Sequence, residues 1–119
     1  MDFALAKILL ADDSTHARRM GAKILTAEGF EVTTVSNGQA AIQALEQSVP
    51  DLVVADIFMP GRNGYEVCKF IKTDPKFHHV PVLLIIGQME PYDPEEGRKA
   101  GADGLITKPL ESSNLVATV

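Results

Sequence analysis

The fold is decided by residues 51–61, which read DLVVADIFMPG. Four apolar residues in a row, two of them valines, predict a short strand that is buried on both faces, as in a parallel sheet. The strand ends on the carboxylate of Asp56, and Pro60-Gly61 prevents a strand or helix from continuing. Because open parallel sheets bind ligands at the carboxyl ends of their strands, Asp56 is expected where such a fold keeps its chemistry.

Around this strand, short apolar segments alternate with helical patterns. The other strands are predicted at 7–11, 30–35, 82–86 and 104–107, and the helices at 14–28, 38–49, 64–73 and 93–101. Such alternation predicts parallel βαβ units with right-handed crossovers. For five strands it favours a doubly wound α/β fold with the flavodoxin-like order 2-1-3-4-5 and helices on both faces. In the first helix, Met20, Ile24 and Leu25 are predicted to face the core.

This strand order brings four charged residues to one crevice. Asp12 and Asp13 follow the first strand, Asp56 ends the third, and Lys108 follows the fifth. Three carboxylates so close together need a cation, and oxygen ligands suit Mg²⁺. Lysine is suited to hold a phosphoryl oxygen as a compact charge. The set predicts phosphoryl transfer to a carboxylate, with Asp56 as the nucleophile.

Composition excludes several other classes of protein. The 119 residues suit a single domain, 1–119, and the net charge of -5 argues against binding to nucleic acid or an anionic membrane by this domain alone. No apolar run approaches the roughly 20 residues of a membrane span. The single cysteine, Cys68, excludes an internal disulfide and suits the cytoplasm, and its helical setting predicts a packed side chain.

Motifs over almost the whole chain resemble the receiver domain of two-component response regulators. They are Asp12-Asp13, Asp56 with Met59-Pro60-Gly61, Gly64, Ala100-Gly101-Ala102 and Lys108-Pro109. The resemblance implies phosphorylation on an aspartate by a sensor histidine kinase or a phosphotransfer protein. It also implies a downstream partner or a fused output domain, and a signalling role rather than metabolic catalysis. The peptide bond before Pro109 is expected to be cis.

Carried over by position, the resemblance assigns a role to each residue of the crevice. Asp56 would be the phosphoacceptor and a ligand of Mg²⁺. Asp13 would bind the metal directly, Asp12 mainly through water, and Phe58 through its backbone carbonyl. Lys108 would pair with the phosphoryl group.

Two positions depart from the family pattern. Ile86 stands where the family has Ser or Thr at the end of the fourth strand, and Leu105 stands where it has an aromatic residue. No hydroxyl side chain occurs from 80 to 91. Only backbone N–H groups near Gly87 and the Lys108 ammonium would then hold the phosphoryl oxygens, so we expect a weakened conformational response.

Other interpretations stay open on the sequence. A pseudo-receiver that works without phosphate is favoured by Ile86 and Leu105 and opposed by the intact acids. A phosphatase of the haloacid dehalogenase type needs a second Asp where Phe58 stands, and a flavin carrier is disfavoured because Asp12-Asp13 would repel phosphate. The last helix is expected to begin near 111 or 112. Either this helix is unusually short, or the chain is a receiver domain taken from a longer protein.

Overall fold

A five-stranded parallel sheet lies at the centre of the molecule, in a computed structural model that describes residues 6–108. Each strand has four or five residues. The strands are β1 (Lys7–Ala11), β2 (Glu31–Val35), β3 (Leu52–Asp56), β4 (Val82–Ile86) and β5 (Gly104–Thr107). Their order is β2-β1-β3-β4-β5, which confirms the predicted flavodoxin-like topology. β2 lies at one edge of the sheet, and none of its residues is buried.

The helices of the described part of the chain connect these strands. They are α1 (Thr15–Ala27), α2 (Gly38–Gln47), α3 (Gly64–Thr73) and α4 (Pro94–Ala100). The Ser14 side chain caps α1 by accepting from the Ala17 N–H, as predicted, and Gly101 ends α4 with a φ of 84°. The predicted last helix and the peptide bond before Pro109 lie outside the described residues.

The core lies on both faces of the sheet, because neighbouring strand residues point in opposite directions. Leu9 packs into the cluster beneath α2 and α3, which contribute Leu45 and Ile71. Leu10 packs on the opposite face with Leu25 of α1. Complete burial of each such side chain stabilises the fold by about 1.5–3 kcal/mol.

The predicted core face of α1 is partly wrong. Leu25 is buried and Ile24 is half-buried, but 44% of Met20 is exposed. The buried stripe instead begins at Gly21, one turn before Leu25. Because consecutive helix residues are about 100° apart, Met20 lies beside that stripe rather than on it.

Candidate functional site

Asp12 and Asp56 meet because β1 and β3 are neighbours. Ala11 pairs with Ala55 in the parallel register, so the residues that follow them lie side by side. Oxygen atoms of Asp12, Asp13 and Asp56 all lie within 4.8 Å of one another. Asp12 and Asp56 are buried, whereas Asp13 is exposed to solvent.

One carboxylate oxygen of Asp12 has no hydrogen-bond donor in the described part of the chain. Its Oδ1 accepts from the Ser14 N–H at 2.9 Å, and its backbone carbonyl accepts from Arg18 at 2.8 Å. Its buried Oδ2 accepts no hydrogen bond, although the Lys108 ammonium lies 3.3 Å away. Lys108 therefore compensates the charge of this buried oxygen only in part, and a bound cation would compensate it further.

Lys108 reaches the acids from the end of β5. Its Nζ lies 3.0 Å from Asp56 Oδ2, and its backbone N–H donates to the Ile86 carbonyl at 2.7 Å. The structure thus brings together the four residues that the strand order was expected to gather.

Burial and neighbouring charges shift the pKa values of Asp56 and Lys108. Burial raises the pKa of Asp56 from 3.8 to about 6; the hydrogen bond from Lys108 opposes this rise and the charge of Asp12 adds to it. Burial alone would lower the pKa of Lys108, but the Asp56 hydrogen bond and the Asp12 charge outweigh it and raise that pKa. At neutral pH Asp56 is therefore mostly a carboxylate, with less net stabilisation of its charge than an exposed aspartate has.

The loop after β3 is held tightly against the site. The Phe58 N–H donates to Asp56 Oδ1 at 3.3 Å, while 41% of Phe58 is exposed. The Gly64 N–H donates to the Ile57 carbonyl at 2.8 Å, and a Cβ on Gly64 would lie 2.6 Å from the Asp56 carbonyl oxygen. Only glycine therefore lets the start of α3 approach the end of β3 so closely.

Gly87, predicted to hold a phosphoryl oxygen, already has a partner for its N–H. It donates to Glu90 Oε1 at 2.6 Å. Neither Glu90 nor Arg18 was among the predicted site residues. The spacing Gly-Gln-Met-Glu directly after a strand is the sequence signal for Glu90, because an acid three residues on can reach back to close a turn.

The two atypical positions lie where the sequence predicted them. Ile86 ends β4 and is buried, and Leu105 lies in β5 with 39% exposed. Cys68 is also buried, as predicted, and burial raises the pKa of its thiol to about 11.

The donor set fits a hard divalent cation. Carboxylate oxygens from three residues lie within reach of one ion, and the buried Asp12 Oδ2 atom accepts no hydrogen bond in the described part of the chain. Mg²⁺ binds through one or two carboxylates and keeps waters for phosphate. Asp12, Asp13 and Asp56 are therefore the residues that would hold it.

A family model for the response regulator receiver domain matches residues 8–119. The chain belongs to this family. Response regulators are signalling proteins rather than metabolic enzymes, so this receiver domain is a signalling module of two-component systems.

Curated response regulators are similar to the receiver domain over nearly its full length. Response regulator PleD of Caulobacter vibrioides is 38% identical over 115 residues, which is 96% of this chain and 25% of that protein. DNA-binding response regulator MtrA of Mycobacterium tuberculosis is 34% identical over 119 residues, covering all of this chain and 51% of that protein. The chain thus spans a quarter to about half of the length of these relatives.

Solved structures share the fold of the receiver domain. Chemotaxis response regulator CheY4 of Vibrio cholerae superposes with a TM-score of 0.89 at 30% identity, covering 97% of this chain and 96% of that one. The receiver domain of a histidine kinase from Syntrophus aciditrophicus gives a TM-score of 0.86 at 32% identity, covering 94% and 85%. Among the described residues, no helix has the length and apolar character that a membrane crossing requires.

Proposed function

We propose that this receiver domain accepts a phosphoryl group on Asp56 from a phosphohistidine of a sensor histidine kinase or a phosphotransfer protein. One observation carries the proposal. The Asp56 carboxylate ends β3 beside two other acids, 3.0 Å from the Lys108 ammonium. This arrangement combines a nucleophile, a set of metal ligands and a cation for phosphoryl oxygens.

The reaction is an in-line displacement at phosphorus. An Asp56 carboxylate oxygen forms the new O–P bond while the N–P bond of the donor breaks. The electron pair of that bond remains on the donor imidazole, which takes up a proton. Lys108 stabilises the charge on the transferring oxygens, and its contact with Asp56 Oδ2 orients the carboxylate.

Mg²⁺, when bound, would neutralise charge on the phosphoryl oxygens. By position in the family motif, Asp13 would hold it directly and Asp12 mainly through water; Asp13 is exposed and Asp12 is buried. Asp56 and the Phe58 carbonyl would complete the protein ligands.

The phosphoryl group would control contacts with a downstream partner or a fused output domain, in the cytoplasm. We infer that the receiver is joined to further domains, because this chain covers only a quarter of PleD and about half of MtrA. The downstream activity would therefore be carried out by the partner or output domain that the receiver contacts.

A second candidate is a pseudo-receiver that binds its partner without phosphorylation. The observation in its favour is the pair Ile86 and Leu105, which replaces both the hydroxyl and the aromatic residue of the usual switch. The four charged residues of the crevice oppose it, since a module without phosphate chemistry has no need for buried acids.

Intact-protein mass spectrometry tests the proposal. Wild type treated with acetyl phosphate and Mg²⁺ is expected to gain one phosphoryl group, and Asp56→Asn to gain none. Asp51→Asn is the matched control, because Asp51 precedes the same strand and lies at its opposite end. Equal labelling of wild type and Asp56→Asn would remove Asp56 from this role, and no labelling of wild type would favour the pseudo-receiver.

A further inference from the structure

A tight turn follows β4 beside the candidate site. The Gly87 N–H donates to Glu90 Oε1 at 2.6 Å, and the Glu90 N–H donates to the Gly87 carbonyl at 3.1 Å. The first of these is a charge-assisted hydrogen bond and is correspondingly short. The side chain and the backbone N–H of Glu90 therefore both bind Gly87.

Gly87 lies next to Lys108 across the sheet. Ile86 pairs with Thr107, and the Lys108 N–H donates to the Ile86 carbonyl at 2.7 Å. Gly87, Glu90 and Lys108 also line one cavity of about 500 Å³. A Cβ on Gly87 would lie 2.8 Å from Glu90 Oε1, so the glycine allows the carboxylate to approach.

We propose that Glu90 is a positioning residue that occupies the Gly87 N–H in the unphosphorylated protein and competes with the phosphoryl group for it. The proposal rests on phosphorylation of Asp56. A single N–H makes one strong hydrogen bond, so the carboxylate and a phosphoryl oxygen exclude each other there. The two anions also repel each other, which favours release of Glu90 once Asp56 is phosphorylated.

Release of Glu90 would be transmitted along the chain toward α4. The turn leads directly to Asp93, whose N–H donates to the Tyr65 hydroxyl at 3.1 Å and whose side chain caps α4. Opening the turn would therefore weaken the N-terminal cap of α4. This gives phosphorylation a mechanical effect on the loop even though Ile86 has no hydroxyl to pull on β4.

The competition is measured by NMR titration with beryllofluoride and Mg²⁺, which mimic the phosphoryl group. Wild type is compared with Glu90→Ala and Glu90→Gln. Glu96→Gln is the matched control, since it removes the same charge from an exposed position on α4. We expect about three- to tenfold tighter beryllofluoride binding in Glu90→Ala, a smaller gain in Glu90→Gln and none in Glu96→Gln.

The Gly87 amide shift before titration tests the contact on its own. It should move in both Glu90 variants and stay unchanged in Glu96→Gln. If wild type and Glu90→Ala bind beryllofluoride equally well, competition by Glu90 is wrong while phosphorylation of Asp56 stands. If neither protein responds, both proposals are wrong, and a shifted Gly87 amide would then report only a turn-closing contact.

Discussion

Asp56 is a carboxylate in an environment that disfavours its charge. Its side chain is almost fully buried, and Asp12 adds a second negative charge nearby. Lys108 offsets part of this cost but is shared between the two acids. Without a cation, the charged site therefore reduces the stability of the fold, a common property of functional sites.

The raised pKa of Asp56 gives the first prediction, for metal-free protein. Because the folded pKa of about 6 exceeds the ordinary value of 3.8, protonation stabilises the fold. That contribution is complete below about pH 4 and is lost as the pH rises through about 6. Asp56→Asn cannot ionise, so near neutral pH it should be more stable than wild type by about 1–3 kcal/mol.

Urea denaturation in chelator at several pH values measures this difference. The gap between variant and wild type should widen between about pH 4 and pH 7 and then level off. Asp51→Asn serves as control, because Asp51 is exposed. A gap that is absent, or that narrows as the pH rises, would contradict a buried and destabilised Asp56 carboxylate.

The two acids after β1 should differ in their importance for metal binding. Asp13 is exposed to solvent, whereas Asp12 is buried, with its Oδ1 held by the Ser14 N–H and its Oδ2 3.3 Å from the Lys108 ammonium. We expect Asp13→Ala to weaken Mg²⁺ binding by about 100-fold and Asp12→Ala by about tenfold. Calorimetric titration gives the ranking, and thermal melts show whether each variant folds. The opposite ranking would exchange the roles of the two acids.

Which residues of the site can be read from the sequence depends on how they are placed. Asp12 and Lys108 follow strands and Asp56 ends one, so the strand order alone brings them together. Glu90 and Arg18 were missed because loop and helix geometry, not strand ends, bring their side chains to the site. No pattern of apolar residues records such contacts.

At the scale of elements, the close packing of Gly64, the first residue of α3, against the end of β3 fixes the position of Asp56. A Cβ on Gly64 would lie 2.6 Å from the Asp56 carbonyl oxygen and 2.7 Å from the Ile57 Cα, both rigid backbone atoms. Gly64→Ala should therefore destabilise the protein by about 1–3 kcal/mol, as overpacking does. Urea denaturation measures the effect.

Gly97→Ala is the matched comparison for Gly64→Ala. Its Cβ would meet the Tyr92 hydroxyl, which is the far end of a side chain rather than backbone. Alanine also favours the helix by up to about 1 kcal/mol. We expect little or no loss of stability, and equal losses in the two variants would contradict a rigid join at Gly64.

Element boundaries were predictable where a cap or stop signal marks them. The bounds of α3 match the prediction, because Asn63 and Glu66 form a capping box and Asp74-Pro75 ends the helix. The orientation of α1 was less predictable. Met20 shares the helical spacing of the core residues, but it is 44% exposed, and the buried position next to it is Gly21, one turn before Leu25.

At the scale of the whole molecule, β4 links the strand that carries Asp56 to the edge strand β5. Asp56 pairs with Ile85, and β4 pairs in turn with β5. The order of the strands could be predicted from alternating elements and right-handed crossovers. The strength of any coupling along β4 could not, because in the proposed function it depends on which side chain at the end of β4 would contact the phosphoryl group.

The last prediction concerns the extent of the response to phosphorylation. A ligand shifts an equilibrium only by its different affinity for the two states. Because Ile86 is buried and has no hydroxyl, a phosphoryl group on Asp56 would form no side-chain hydrogen bond with the end of β4. We expect beryllofluoride with Mg²⁺ to change amide shifts mainly in 87–93 and α4, and little at Leu105.

Ile86→Thr should enlarge that response and extend it to Leu105, since a hydroxyl would then reach a phosphoryl oxygen. A hydrogen bond to a charged group is worth about 1.5–3 kcal/mol, enough to change the balance of states more than tenfold. Ile86→Val is the matched control, because valine has the shape of threonine without its hydroxyl and separates the loss of packing from the new bond. If wild type already shows large changes that reach Leu105, or if Val and Thr behave alike, the missing hydroxyl does not limit the switch.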